Sequence, residues 1–373
     1  MLFLHIGTHK TGTSALQTFL TRRGAELDRC GVHYVRAGLG QGIAHHSLSW
    51  AVRGQYIGEH AVWDEARAEI AAHSRMPTVM SSEAFWFTDP EKLAPELKDV
   101  GPIRIVAYLR RQDRYLQSLY KQAVTGGRPQ SFEDWYAKTG KRGDYLSVVR
   151  RWAEVFGAQN ILLRAYDRAS GRIDVTEDFF QAVGVDVAPV LAQRKRQAHN
   201  PSPRLELLEL YRAVNQSGIE LPRDKLFWPV MGGHTQYHRS ADILDYEHSA
   251  RLLKDFADGN AALEREFNRD ASVPLFPALV PFEMPEFWDW RSPEYQRMAA
   301  EFMDALIKAA RSGETRSDNE RRNKKPRDAR LSREERVARR KAARAKAGES
   351  GGDGGGRDGG GGDDDGNGEG EEA

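Results

Sequence analysis

The sequence predicts an α/β protein, a three-layer, P-loop-like fold with a central, mostly parallel sheet flanked by helices. Two observations predict it. Short apolar runs of strand length alternate along the chain with stretches whose apolar residues fall at helical spacing, the pattern of parallel strands joined by crossover helices. The first run, Leu2-Phe3-Leu4-His5-Ile6, stops at Gly7 and leads through a loop of glycines and hydroxyls directly into a helical pattern. In such folds ligands gather at the carboxyl ends of the strands.

The elements follow in order. Thr13 to Leu20 carries the first helix, with Thr13 or Ser14 as cap candidates. His46, in "GIAHHSLSWAV", stands before a short helix, where His45 and His46 could cap it or line a pocket. Thr78 to Phe85 ("TVMSSEAF") reads as a strand, and Ile103 to Leu109 as another, leading into a helix from Arg114 to Val124. A helix from Tyr145 to Phe156 precedes a strand from Asn160 to Arg168. "VTEDFFQAVGV" reads as a helix stopped by Gly184. Leu205 to Val214 and His248 to Phe267 read as amphipathic helices packed on this core. There is no internal repeat.

Composition fits one enzyme-sized domain over residues 1–310 and a tail over 311–373. With 373 residues, 40% of them hydrophobic, the chain can bury a substantial core. A net charge of +1 gives no overall bias toward nucleic acid. Cys30 is the single cysteine, so no intrachain disulfide forms, a usage suited to a reducing compartment. No apolar run approaches the roughly 20 residues of a membrane span, so no integral membrane segment is expected. The chain begins directly with a strand, leaving no room for a signal peptide. After about Arg311 the character changes to "RRNKKPRDARLSREERVARRKAARAKAG", strongly basic, and then to a glycine-rich acidic end. Neither part buries enough apolar surface to offset ordering entropy, so the tail is expected to be disordered. Its basic part could bind an anionic partner such as lipid or RNA.

The loop Gly7-Thr8-His9-Lys10-Thr11-Gly12-Thr13-Ser14 has the chemistry of an anion site. A helix N-terminus offers free N–H groups and partial positive charge. Lys10 adds a full charge, and Thr11, Thr13 and Ser14 add hydroxyl donors. It is not a Walker A loop: Lys10 precedes Gly12 instead of following it, and no Gly-Lys-[Ser/Thr] occurs here.

These residues resemble the 5′-phosphosulfate loop of sulfotransferases, the enzymes that use 3′-phosphoadenosine-5′-phosphosulfate (PAPS). Many members have proline where His9 stands. A second stretch, "IRIVAYLRRQDRYLQSLYKQ", is similar to the family's second motif, an arginine at a strand end and a serine eight residues later, both on the 3′-phosphate. Arg110 and Ser118 have that spacing, although Arg110-Arg111-Gln112 departs from the common Arg-[Asp/Asn]-Pro. Arginine suits phosphate because its planar fork pairs with the oxygens. In "AQRKRQAHNPSPRLELL" the resemblance extends to a basic segment closing over PAPS, with Arg194, Lys195 and Arg196 as candidates and Arg196 carried forward. The likeness spans roughly residues 1 to 270 and, for want of an N-terminal anchor, points to the bacterial, cytoplasmic members.

The resemblance implies a sulfotransferase acting on a hydroxyl or amine of a carbohydrate, glycolipid or small metabolite. Lys10 would neutralise the leaving 5′-phosphate. No metal is required, and no HExxH, CxxC pair or EF-hand loop is present. For the base, Glu83 in "SSEAF" and His46 are the candidates, with His9 a third. Trp50, Trp63, Phe85, Trp86 and Phe87 could stack on a sugar. A P-loop nucleotide kinase-like enzyme and a noncatalytic scaffold with a degenerate nucleotide site are the alternatives.

Overall fold

The computed structural model describes residues 1–55, 59–168, 171–194, 203–218, 230, 242–270, 272–284 and 286–311. Its centre is a five-stranded sheet. The strands are β1 (Leu2–Gly7), β2 (His33–Tyr34), β3 (Thr78–Ser81), β4 (Ile103–Leu109) and β5 (Ile161–Ala165). Their order is β2-β3-β1-β4-β5 and every pairing is parallel. β1 therefore lies at the centre, with the chain crossing from one side of it to the other between β3 and β4.

Both faces of the sheet are covered. Alternate residues of a strand point to opposite faces. Leu2, Leu4 and Ile6 of β1 and Ile105, Ala107 and Leu109 of β4 join one apolar cluster, with Trp152 and Leu207 from helices Tyr145–Phe156 and Leu205–Gln216. Phe3, Val106 and Tyr108 join the other, with Leu16 and Phe19 of helix Thr13–Arg22 and Phe179 and Phe180 of helix Val175–Val183. This double burial explains why the strands read as continuous apolar runs.

Four expectations are corrected. The strand from Thr78 ends at Ser81, because the Ser82 hydroxyl accepts from the Ala84 N–H (3.1 Å) and starts a 3₁₀ turn over Glu83–Phe87. The helix expected from Arg114 begins at Gln112. The stretch His248 to Phe267 is two helices, Tyr246–Lys254 and Ala257–Phe267; at the break Asp255 accepts the Tyr136 hydroxyl at 2.7 Å. The strand expected from Asn160 to Arg168 is split: β5 ends at Ala165, and Asp167–Arg168 pairs antiparallel with Gly171–Arg172. Strand β2, not expected from sequence, has only two residues and sits at the sheet edge, too short for a periodicity to show. Helix Pro293–Arg311 closes the described chain; the tail, its expected disorder and its anionic partner lie outside the described residues. Among those residues no helix is long and apolar enough to cross a membrane.

Asp178 clamps the second layer to the sheet. It accepts the Tyr108 hydroxyl of β4 (2.9 Å) and a bidentate pair from Arg164 of β5 (2.8 and 2.6 Å). The carboxylate is buried, so removing it strands a guanidinium and a phenol with lost partners. Asp178→Ala should cost about 3 kcal/mol, read as a lower urea midpoint with an unchanged slope.

Candidate active site at the carboxyl edge of the sheet

The loop after β1 is tied down by its own hydroxyls. Thr8 donates to the Tyr108 carbonyl from its N–H (3.0 Å) and from Oγ1 (3.1 Å), and Thr11 Oγ1 donates to the Thr8 carbonyl at 2.6 Å. Lys10 and Gly12 both have left-handed backbones, with φ of 63° and 77°. Gly12 is itself the cap of helix Thr13–Arg22, and no side chain caps that end. The expected caps, Thr13 and Ser14, instead lie one step inside the helix, Thr13 buried and Ser14 exposed. Glycine is needed at the cap twice over. A Cβ at position 12 would be strained at that φ and would stand 3.0 Å from Val175 Cγ2. The result is a helix start that no side chain caps.

The two candidate bases come together. Glu83 Oε1 is 3.9 Å from His46 Nε2 and 3.8 Å from His9 Nδ1. Its other oxygen accepts from Gln17 Nε2 at 3.0 Å, and the same amide reaches Ser81 Oγ at 3.2 Å. Burial pushes the Glu83 carboxyl up, but His46, the Gln17 hydrogen bond and His9 together outweigh it and hold the group below its ordinary value. Burial pushes His9 down, and Lys10, Arg142 and His46 add to this against the opposing pull of Glu83. Gly7 is required beside them: a Cβ there would lie 3.1 Å from Glu83 Cβ.

The histidines have separate fates. His46 opens helix His46–Val52, meets Ser82 Oγ through Nδ1 (2.7 Å) and stacks on Trp50. His45 is the cap residue of that helix by position but makes no side-chain cap. It is fully buried, and burial lowers its pKa to about 4. Its Nε2 donates to the Val35 carbonyl (2.7 Å) and its Nδ1 accepts from the Ser81 N–H (3.0 Å), a brace between the ends of β2 and β3. His5, likewise lowered to about 4 by burial, contacts Ser81 Oγ through Nδ1 at 2.7 Å.

Arg110 follows the end of β4 and is held from several sides. Nε donates to Asp167 Oδ2 (3.3 Å), the guanidinium lies 5.5 Å from the Tyr166 ring centroid, and Nη1 makes a long 3.5 Å contact with the Lys10 carbonyl. The Tyr145 hydroxyl donates to the Arg110 carbonyl at 2.9 Å. Asp167 follows β5 and its side chain is wholly buried; Arg114 Nη1 approaches its other oxygen at 3.7 Å. Ser118, half-buried, lies one helical turn beyond Arg114 and so shares its face. Arg111 is not a solvated turn residue: it makes a bidentate pair with Asp113 and donates to the carbonyls of Pro277 and Ala278. Arg194 pairs with Asp174, which caps helix Val175–Val183. Lys195 and Arg196 lie outside the described residues.

Of the expected aromatic residues, Trp63, Phe85 and Trp86 are core and cannot meet a ligand as placed. Trp50 and Phe87 remain at the site: Phe87 is 40% exposed with its ring 5.5 Å from that of His9. Gln17, Asp167 and Arg142 were not singled out from sequence. Asp167 had a signal, an acidic residue near the end of the strand read over Asn160 to Arg168. Gln17 had a weaker one, a polar residue between Leu16 and the apolar positions of its helix. Arg142 had none.

The fold and site thus define a three-layer, P-loop-like α/β protein with an anion-type loop facing a carboxylate and a strand-end arginine. No family model matches the chain. A protein of Archaeoglobus fulgidus described only as uncharacterized is 32% identical over 197 residues, 51% of this chain and 53% of that protein. The chain therefore spans about half the length of that curated relative. A crystal structure of a sulfotransferase from Alicyclobacillus acidocaldarius aligns over 72% of this chain and 96% of that one, with 16% identity and a TM-score of 0.39. At that level neither fold nor activity transfers between the two.

Asp167→Ala should destabilise the protein by about 3–5 kcal/mol, because it leaves the buried Arg110 charge without its carboxylate. Urea unfolding checks this, with Arg114→Ala, which removes a more exposed partner, expected to cost under about 1 kcal/mol.

Proposed function

We propose that this protein is a sulfotransferase that moves a sulfuryl group from PAPS to a hydroxyl or amine of a carbohydrate, glycolipid or small metabolite. The observation that carries the reading is the convergence, at the carboxyl edge of one sheet, of three groups from three strand ends. They are the Gly7–Ser14 loop after β1, Glu83 after β3 and Arg110 after β4. The motifs that resemble PAPS-binding sequences are 100 residues apart at Lys10 and Arg110, yet the Arg110 side chain reaches the Lys10 carbonyl in a long contact.

In this reading the loop amides, Lys10 and the hydroxyls of Thr11, Thr13 and Ser14 hold the 5′-phosphosulfate, with Gly7, Thr8, His9 and Gly12 shaping the loop. Arg110 and Ser118 hold the 3′-phosphate, and Arg196 is the proposed closing cation. The acceptor oxygen attacks sulfur in line. The bond from sulfur to the bridging phosphate oxygen breaks and 3′,5′-ADP leaves. Negative charge grows on that leaving oxygen, where Lys10 and the helix N-terminus neutralise it. The acceptor proton passes to Glu83. That carboxylate is held below its ordinary value against the upward push of burial by His46 and the Gln17 hydrogen bond, so it is ionised and can accept the proton. Positioning and charge stabilisation do most of the work, as in phosphoryl transfer.

A kinase-like reading is disfavoured by Lys10, which precedes Gly12 where a Walker lysine would follow it. The two separate by calorimetry in EDTA. 3′,5′-ADP is expected to bind wild type without metal and to lose affinity at least tenfold in Arg110→Ala. Binding of ATP with magnesium but not of 3′,5′-ADP by the folded protein would sink the proposal.

Glu83→Gln should lower kcat by about 10²- to 10⁴-fold while leaving 3′,5′-ADP affinity unchanged. The sign of the pH effect follows from the lowered carboxyl pKa. The base is competent above that pKa, so the acidic limb of kcat/KM should fall below the ordinary glutamate range. A limb near neutral pH that survives in Glu83→Gln and vanishes in His46→Ala would move the role to His46.

A further inference from the structure

Arg142 stands apart from the other arginines around the site. Arg110 and Arg114 hold Asp167, Arg111 holds Asp113, Arg164 holds Asp178 and Arg204 holds Glu206. Among the described residues no carboxylate lies within 4.0 Å of Arg142. It is half-buried in the 3₁₀ turn Gly140–Gly143 that precedes helix Tyr145–Phe156. Its guanidinium carbon is 5.7 Å from the ring centroid of Phe87, and the Phe87 ring is the one beside His9. Its field is felt by His9 and by Tyr115, whose buried hydroxyl makes no hydrogen bond among the described residues.

The surroundings of Glu83 are therefore not symmetric. Of the two histidines near Glu83 Oε1, His46 is stacked by Trp50, whereas His9 lies beside Phe87, and Arg142 lies over Phe87. A half-buried guanidinium has lost part of its hydration and gains most from a planar anion that can take two of its N–H groups. An aromatic face beside a catalytic carboxylate suits the apolar face of a sugar ring.

We propose that the acceptor is an acidic saccharide, with its reacting hydroxyl at Glu83, a ring face on Phe87 and a carboxylate on Arg142. The proposal rests on the sulfotransferase reading for the role of Glu83. Its binding part stands on Arg142 and Phe87 alone.

The test is a titration of a glucuronate-containing tetrasaccharide, and of the same oligosaccharide with its carboxyls reduced to alcohols, into the full-length protein. It is done with and without saturating 3′,5′-ADP, for wild type, Arg142→Ala and Arg142→Lys. Wild type should prefer the acidic form. Arg142→Ala should weaken the acidic form by about ten- to hundredfold, the worth of a charge-assisted hydrogen bond, and leave the neutral form and 3′,5′-ADP unchanged. Arg142→Lys should recover part of the loss. In turnover with labelled PAPS the same loss should fall on KM rather than kcat.

Equal affinity for the two forms, or an acidic preference retained in Arg142→Ala, would overturn the proposal. So would a loss of 3′,5′-ADP affinity in Arg142→Ala, which would place Arg142 on the donor. Acidic preference through Arg142 with no binding of 3′,5′-ADP would keep the saccharide site and remove the sulfotransferase reading instead.

Discussion

A parallel sheet covered on both faces has few places for a charged side chain, and the best of them is where its strands end. Within β1, β3 and β4 the fully buried polar groups, His5, Thr78, Ser81 and the Tyr108 hydroxyl, are uncharged or held neutral, and the one arginine, Arg104 near the start of β4, is only partly buried; His5 stays neutral because burial outweighs the pull of Glu83. Burying an ion there would cost several kcal/mol without a partner. The ions collect one or two residues past the last ladder pair instead. Glu83 follows β3, Arg110 follows β4 and Asp167 follows β5, while the loop of Lys10 follows β1. The site is what remains of the sheet's polarity once its interior has excluded it.

Much of that polarity is already spent on itself. Asp167 holds Arg110, Asp113 holds Arg111, and Gln17 holds Glu83. Each pairing lowers the freedom of a long side chain before any ligand arrives, which is how a charged group becomes a positioned one. The loop shows the same economy: Thr8 and Thr11 satisfy carbonyls, and the helix start they frame has no side-chain cap of its own. Among the described residues no carboxylate pairs with Arg142, which lies beside the exposed aromatic ring of the site.

The sheet was legible because its strands are buried on both sides, so apolar runs such as Ile103 to Leu109 stand out without any period. The strand-loop-helix unit at Gly7 was legible because glycines and hydroxyls there break two patterns at once. Boundaries failed where the chain turned within an apparently continuous pattern: β3 ended at Ser81, four residues before the expected end at Phe85, where Ser82 starts a 3₁₀ turn, and the backbone leaves helical geometry at Phe256, parting a helix that reads as continuous. Convergence could not be read. Glu83 and His46 looked like rivals for one role, and only the fold sets their side chains 3.9 Å apart. Gln17 and Arg142 matter through partners 66 and 55 residues away in sequence, Glu83 and Phe87, and no local pattern encodes such a distance.

Gln17 has a consequence of its own. It lies in the second turn of the helix whose start would face a bound anion, and its amide is shared between Ser81 and Glu83. Helix, strand end and carboxylate are thereby geared together. The first helix, the end of β3 and the Glu83 carboxylate are in this way joined through a single neutral side chain.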